Sequence, residues 1–212
     1  MDHIVRNATD SRGHVVLKHQ IACLFKEAIS FGATSSAIVS SKEIQSKDSL
    51  AALCNGEYTC PNYGLAAGCP PNVEGPDEFR KWQAQSNYSI TVKIELPTSV
   101  MFSAERKGVM QLLHQIVAAV EQKAIEAGFK NAKGFAGGSC KELFCEDQEK
   151  CCVLAENKPC RHIESARPSM SGFGVDVIAL MKASGWSAPI AEKSMLSDKD
   201  ATSWVAGLIM LA

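Results

Sequence analysis

The chain has 212 residues, a formal net charge of −1 and nine cysteines. Its 46% hydrophobic and 21% charged residues are the proportions of an ordinary globular protein and exclude a disordered one. A pI near 6.5 excludes the basic face of a nucleic-acid binder.

Hydrophobic periodicity alternates helices with strands. Leu17, Ile21, Leu24, Phe25 and Ala28 recur at helical spacing and Gly32 ends that helix. A short strand over Ser35–Ser40 follows, and Ser41–Leu53 reads as a second short strand or a turn. Gly75-Pro76-Asp77-Glu78 opens a helix to about Gln85, with proline at its start and acids in its first turn. Tyr88, Ile90, Val92, Ile94 and Leu96 then alternate with Ser89, Thr91, Lys93 and Glu95, the pattern of a half-buried strand.

In the second half, Val109, Leu112, Leu113, Ile116, Val117, Val120 and Ala124 form one face of a long helix ending at Gly128. A strand over about Asn131–Ala136 leads into Gly137-Gly138-Ser139-Cys140. Pro168 opens a helix with Met170, Phe173, Val177, Ile178 and Met181 on its face, and Trp204–Leu211 is the last strand. No run of about 18 apolar residues is present, so no membrane span or membrane partner is expected. The polar start, Met1 to Arg12, lacks the apolar stretch of a signal peptide, and the expected location is the cytoplasm.

The two halves share landmarks. His19-Gln20-Ile21 and His114-Gln115-Ile116 sit in matching helices. Cys54, Cys60 and Cys69 read C-x5-C-x8-C, and Cys145, Cys151 and Cys160 repeat that spacing. A duplication with halves at about 14–97 and 104–212 is one reading; coincidence among α/β elements is the other. The expected fold is α/β: a single compact unit over 1–212, of two helix–strand–cysteine loop–helix–strand halves around a small sheet.

The cysteines carry the chemical signal. In a reducing compartment an odd number of thiols does not form a disulfide framework, which leaves metal ligation, redox chemistry or catalysis. Cys140 joins the second triplet to make four, Cys140, Cys145, Cys151 and Cys160; the matching position in the first half is Ser49, so that set has three. Zinc knuckles use closer C-x2–4-C pairs, and no C-x2-C occurs here. The wider intervals, with prolines beside Cys60, Cys69 and Cys160, suit a [4Fe–4S] cluster at one or both sets, with zinc as the runner-up.

Helices opening after each triplet would aim their positive ends at the anionic sites. Gly137 and Gly138 would let backbone amides approach a cluster, and Arg161 and His162 could donate to sulfur. Cys23 and Cys152 are the spares, and His19 and His114 read as structural. No phosphate loop and no nucleophile–base pair is evident, so catalytic residues stay unassigned.

Taken together, Cys54…Cys60-Pro61-Asn62-Tyr63-Gly64…Cys69-Pro70-Pro71, Gly137-Gly138-Ser139-Cys140…Cys145…Cys151 and Pro159-Cys160-Arg161-His162…Ala166-Arg167-Pro168-Ser169-Met170 resemble the signatures of a prokaryotic family. It is a cysteine-rich family of predicted metal-binding proteins whose domain is of unknown function. The resemblance spans about residues 14–211 and implies a cysteine-ligated metal, with iron–sulfur favoured, but no particular reaction. After the arginine–histidine pair the family often has glutamate and proline, where this chain has Ile163-Glu164-Ser165.

Three functions follow as expectations. The first is an iron–sulfur protein of one or two clusters that serves a redox protein or enzyme partner in electron transfer. The second is an enzyme using an open iron at the three-cysteine site. The third is a structural zinc protein.

Overall fold

The computed structural model describes residues 3–56, 60–186 and 192–212, with side chains from Val15 onward. Helix α1 (His3–Ser30) leads to β1 (Ser35–Ser40), then short α2 (Asp48–Ala52), α3 (Gly75–Gln85) and β2 (Tyr88–Pro97). Next come α4 (Thr98–Met101), α5 (Arg106–Glu126), β3 (Lys133–Phe135), α6 (Cys140–Phe144) and α7 (Cys152–Glu156). Helix α8 (Val177–Ala183) and β4 (Thr202–Leu211) complete the chain. The strands form one four-stranded sheet in the order β1-β2-β4-β3, with every pairing antiparallel.

The sheet is covered on both faces. Strand β4 alternates: Val205, Ile209 and Leu211 join the cluster made by Ile21 and Leu24 of α1 and Leu113, Ile116 and Val117 of α5. Ala206, Leu208 and Met210 point the other way, into Phe79 of α3, Phe135, Phe173 and Leu180 of α8. Three aromatic rings lock that second layer, with Phe135 edge-on to Phe173 at 5.1 Å and tilted against Phe79 at 5.4 Å.

This double cover changes how β2 is used. Its alternation predicts one solvated face, yet Ser89 and Thr91 are fully buried and Lys93 nearly so. Hydroxyl pairing makes burial of these polar groups tolerable. Ser41 Oγ bonds Ser89 Oγ at 2.7 Å and Ser86 Oγ at 2.9 Å, and Thr91 Oγ1 bonds Ser184 Oγ at 2.7 Å. Lys93 Nζ lies 2.9 Å from the Glu95 carboxylate and 5.3 Å from the centre of the Trp186 ring.

Two other expectations change. Ser41–Leu53 forms a 3-10 turn (Ser41–Glu43) and α2 rather than a strand. The helix expected from Pro168 is two elements, a 3-10 turn over Met170–Phe173 and α8, separated at Gly174. Asp176 caps α8 by accepting the Ala179 N–H at 2.9 Å, which starts a new helix where the periodicity suggested continuity. Ile178 consequently turns outward, and Leu112 of α5 is also partly exposed. Among the described residues, no helix is long and apolar enough to cross a membrane.

Candidate metal centre

The two cysteine segments leave the sheet on the same side and are lashed together by backbone bonds. Ala136, just past β3, donates to Pro168 O and accepts from Met170 N, both at 3.0 Å. Ser169 N donates to Gly68 O at 2.9 Å, which ties the first cysteine loop to the second. Within the first loop, Cys60 N donates to Cys54 O at 3.1 Å and Gly64 N to Pro70 O at 2.8 Å. In the second, Lys141 Nζ donates to the carbonyls of Cys145 at 2.6 Å and Gln148 at 2.5 Å, folding the Cys145–Cys151 turn back on α6.

This framework sorts seven cysteines into two places. Cys54, Cys60 and Cys69 line an open cavity of about 600 Å³, shared with Asn62, Ser139, Glu142 and Asp176. Cys140, Cys145, Cys151 and Cys160 line a second, much tighter space of about 20 Å³. Phe144 and His162, stacked at 5.4 Å, close that space together with Arg161. Each set therefore shares the wall of one cavity. All nine cysteines are free thiols, and among the described residues no group of three or more His, Cys, Asp or Glu side chains is placed so that it could hold a metal ion.

Electrostatics couples the thiols of the four-cysteine set, with Cys69 of the first loop among them. Burial pushes the Cys140 thiol up to about 12, reinforced by the neighbouring thiols of Cys69, Cys160, Cys151 and Cys145. Burial raises Cys145 as well, with Arg161 pulling against it. Cys151 goes the other way. Burial works to raise it but is outweighed by the backbone N–H groups of Ala67, Leu154 and Val153 and by Arg161, so its thiol lies below the usual range. Ala67 belongs to the first loop, so that loop completes the second site. In the three-cysteine set burial raises Cys54 and Cys69; the hydrogen bond between Cys69 and Ser139 offsets part of the rise at Cys69.

The other expected residues fall as follows. Arg161 lines the four-cysteine cavity. His162 contributes its backbone N–H, which donates to Cys160 Sγ at 3.4 Å. Gly138, at φ +82°, lines the open cavity, where the left-handed backbone suits glycine. Gly137 instead offers its carbonyl to His114 Nε2 at 2.9 Å. Helices α6 and α7 begin within the second cysteine segment, at Cys140 and Cys152, and the start of α8, which follows the second triplet, lines the three-cysteine cavity.

The spares are placed too. Cys23 is exposed on α1, 3.7 Å from His19 Nε2, and is not in the wall of either cavity. Cys152 is buried and donates to Pro159 O at 3.4 Å. Ser49, the counterpart of Cys140, is exposed on α2 and does not line the open cavity.

Sequence reasoning missed the polar wall of the open cavity. Asn62 Nδ2 donates to Glu142 Oε2 at 2.8 Å, and Arg106 lies 3.6 Å from the same carboxylate. Asp176, which pairs with Lys47 at 2.7 Å, forms another part of that wall. These residues lie in four separate stretches of chain, with no shared motif to group them. Comparison with curated proteins and with solved structures gives no match. A family model matches residues 37–210, and the chain belongs to that family, the predicted metal-binding proteins DUF2284.

Proposed function

We propose that the protein holds two [4Fe–4S] clusters and serves a redox protein or enzyme partner in the cytoplasm as an electron-transfer accessory. Cys140, Cys145, Cys151 and Cys160 would hold one, and Cys54, Cys60 and Cys69 the other. The observation that carries the reading is the sorting of seven thiols onto the walls of two distinct cavities. The donor chemistry fits. Without a cation, packing thiols around Cys140 only raises the cost of ionising them, whereas a bound metal makes their deprotonation favourable.

The chain's own residues tune such a site. Backbone N–H groups of His162 at Cys160, and of Ala67, Val153 and Leu154 at Cys151, stabilise charge on sulfur. Phe144 and His162, stacked on each other, line the four-cysteine set. We also read the two halves as products of duplication, supported by the repeated cysteine spacing and by the same order of helix, strand, cysteine loop, helix and strand.

The open cavity favours a second reading, an enzyme. Three cysteines face about 600 Å³ of space, with no fourth cysteine among the residues lining it. A cluster iron with three protein ligands supplies a Lewis-acid position there. Asn62, Arg106, Glu142 and Asp176 would bind and orient a polar ligand beside it.

Anaerobic purification with quantification of iron, acid-labile sulfide and zinc tests the first reading. Iron and sulfide in equal amounts support it; zinc without sulfide overturns it and leaves the structural zinc protein. A small exogenous ligand that perturbs the cluster spectrum, and fails to do so in Cys54→Ala, would support the enzyme.

A further inference from the structure

Ser139 stands between the two cysteine sets. It is directly bonded to Cys140, and its Oγ lies 3.4 Å from Cys69 Sγ. Both residues are buried, Cys69 with 6% and Ser139 with 4% of its surface exposed. A serine at the N-cap of a helix ordinarily turns its oxygen back to a backbone N–H of the first turn. Ser139 occupies that position at the start of α6 with extended backbone angles, yet it makes no side-chain cap bond. Its Oγ instead accepts from the Cys69 thiol.

The junction between the two sets is therefore Cys69, Ser139 and Cys140, and apart from one hydrogen bond that path is covalent.

We propose that Ser139 is a positioning residue that joins the two cysteine sets into one electron path and sets the potential at the three-cysteine set; this rests on the two-cluster reading. The hydroxyl can rotate to donate when Cys69 is a thiolate, and such a donor stabilises added negative charge on sulfur. With clusters bound, an electron passing along this path would leave one set oxidised by one unit and the other reduced by one unit. No bond between heavy atoms forms or breaks. A low-potential one-electron donor protein would replace the electron at the set that lost it.

The test uses the full chain with its clusters, reduced with dithionite and followed by electron paramagnetic resonance and redox titration. Cys54→Ala identifies which signal belongs to the three-cysteine set. In the unsubstituted protein the two reduced centres are expected to show mutual spin–spin broadening. Ser139→Ala should retain iron and sulfide, shift the three-cysteine midpoint to lower potential and leave the other midpoint in place; Ser139→Thr should restore it. Two full clusters without magnetic interaction, or an unmoved midpoint in Ser139→Ala, would overturn the inference alone. Should Ser139→Ala lose iron, the Ser139→Thr titration and the spin interaction of the unsubstituted chain decide. A chain without iron and sulfide would overturn the cluster reading first, and this path with it.

Discussion

His114 Nδ1 accepts the backbone N–H of Arg167 at 3.1 Å, while Nε2 faces the carbonyl of Gly137 at 2.9 Å. A backbone N–H only donates and a carbonyl only accepts, so the ring is neutral, with its proton on Nε2. One imidazole on α5 thereby pins both ends of the segment that carries Cys140, Cys145, Cys151 and Cys160. Its surroundings enforce that state: burial lowers the His114 pKa to about 4, the Gly137 bond pulls the other way, and the Arg167 charge adds to the lowering.

A pH dependence follows. Between about 4 and 6.5 the unfolded chain binds a proton on His114 that the native protein does not, so native stability falls as pH drops through that range. The contribution is complete above about 6.5 and amounts to about 3 kcal/mol. Denaturant midpoints for the unsubstituted protein and His114→Gln, measured across this window, should differ in pH slope by about one proton. Identical slopes would remove His114 from the account.

Arg167 and Glu121 form a largely buried ion pair, with 15% and 11% of their side chains exposed. Glu121 also accepts the Gly134 N–H at 2.6 Å, so it couples α5 to β3 as well as to the end of the cysteine segment. Glu121→Gln leaves the arginine charge buried without its partner and should cost about 3 kcal/mol in urea unfolding. Removing both charges, in Glu121→Leu with Arg167→Leu, should cost less than the sum of the two single changes. An additive result would mean the pair is not coupled.

Gly174 separates the 3-10 turn from α8 at φ +66°, and a Cβ there would sit 2.2 Å from the Lys47 carbonyl oxygen. Gly64 has a similar φ of +77° with nothing within 4 Å of its would-be Cβ. Gly64→Ala should therefore cost only backbone strain, about 1 kcal/mol. Gly174→Ala adds a collision with backbone that is itself held by the Lys47 N to Gly174 O bond, and should cost about 3 kcal/mol or more. Thermal unfolding of the two variants side by side checks the difference.

Much of this was legible from residue order. Gly75-Pro76-Asp77-Glu78 marks the start of α3, and the cysteine spacing separates the thiols that meet from Cys23, which lies apart on α1. What order could not show is what covers a surface. Ser89 and Thr91 read as solvated because their hydroxyl partners, Ser41 and Ser184, come from distant segments. Pro168 looked like a helix start, but Asp176 caps the helix eight residues later. His114 reads correctly as structural, though its two backbone partners, 23 and 53 residues away, appear only in the fold. The wall of Asn62, Arg106, Glu142 and Asp176 has no periodicity to betray it; α5, α6 and two loops assemble it.

The central claim is that the cysteines form two independent cluster sites. Iron and acid-labile sulfide per chain, measured on anaerobically prepared unsubstituted protein, Cys54→Ala and Cys160→Ala, test it most directly. About eight irons and eight sulfides are predicted for the unsubstituted chain, falling by about half in each variant as one site empties and the other stays filled. Loss of all iron in either variant, or a preparation containing zinc and no sulfide, would contradict it.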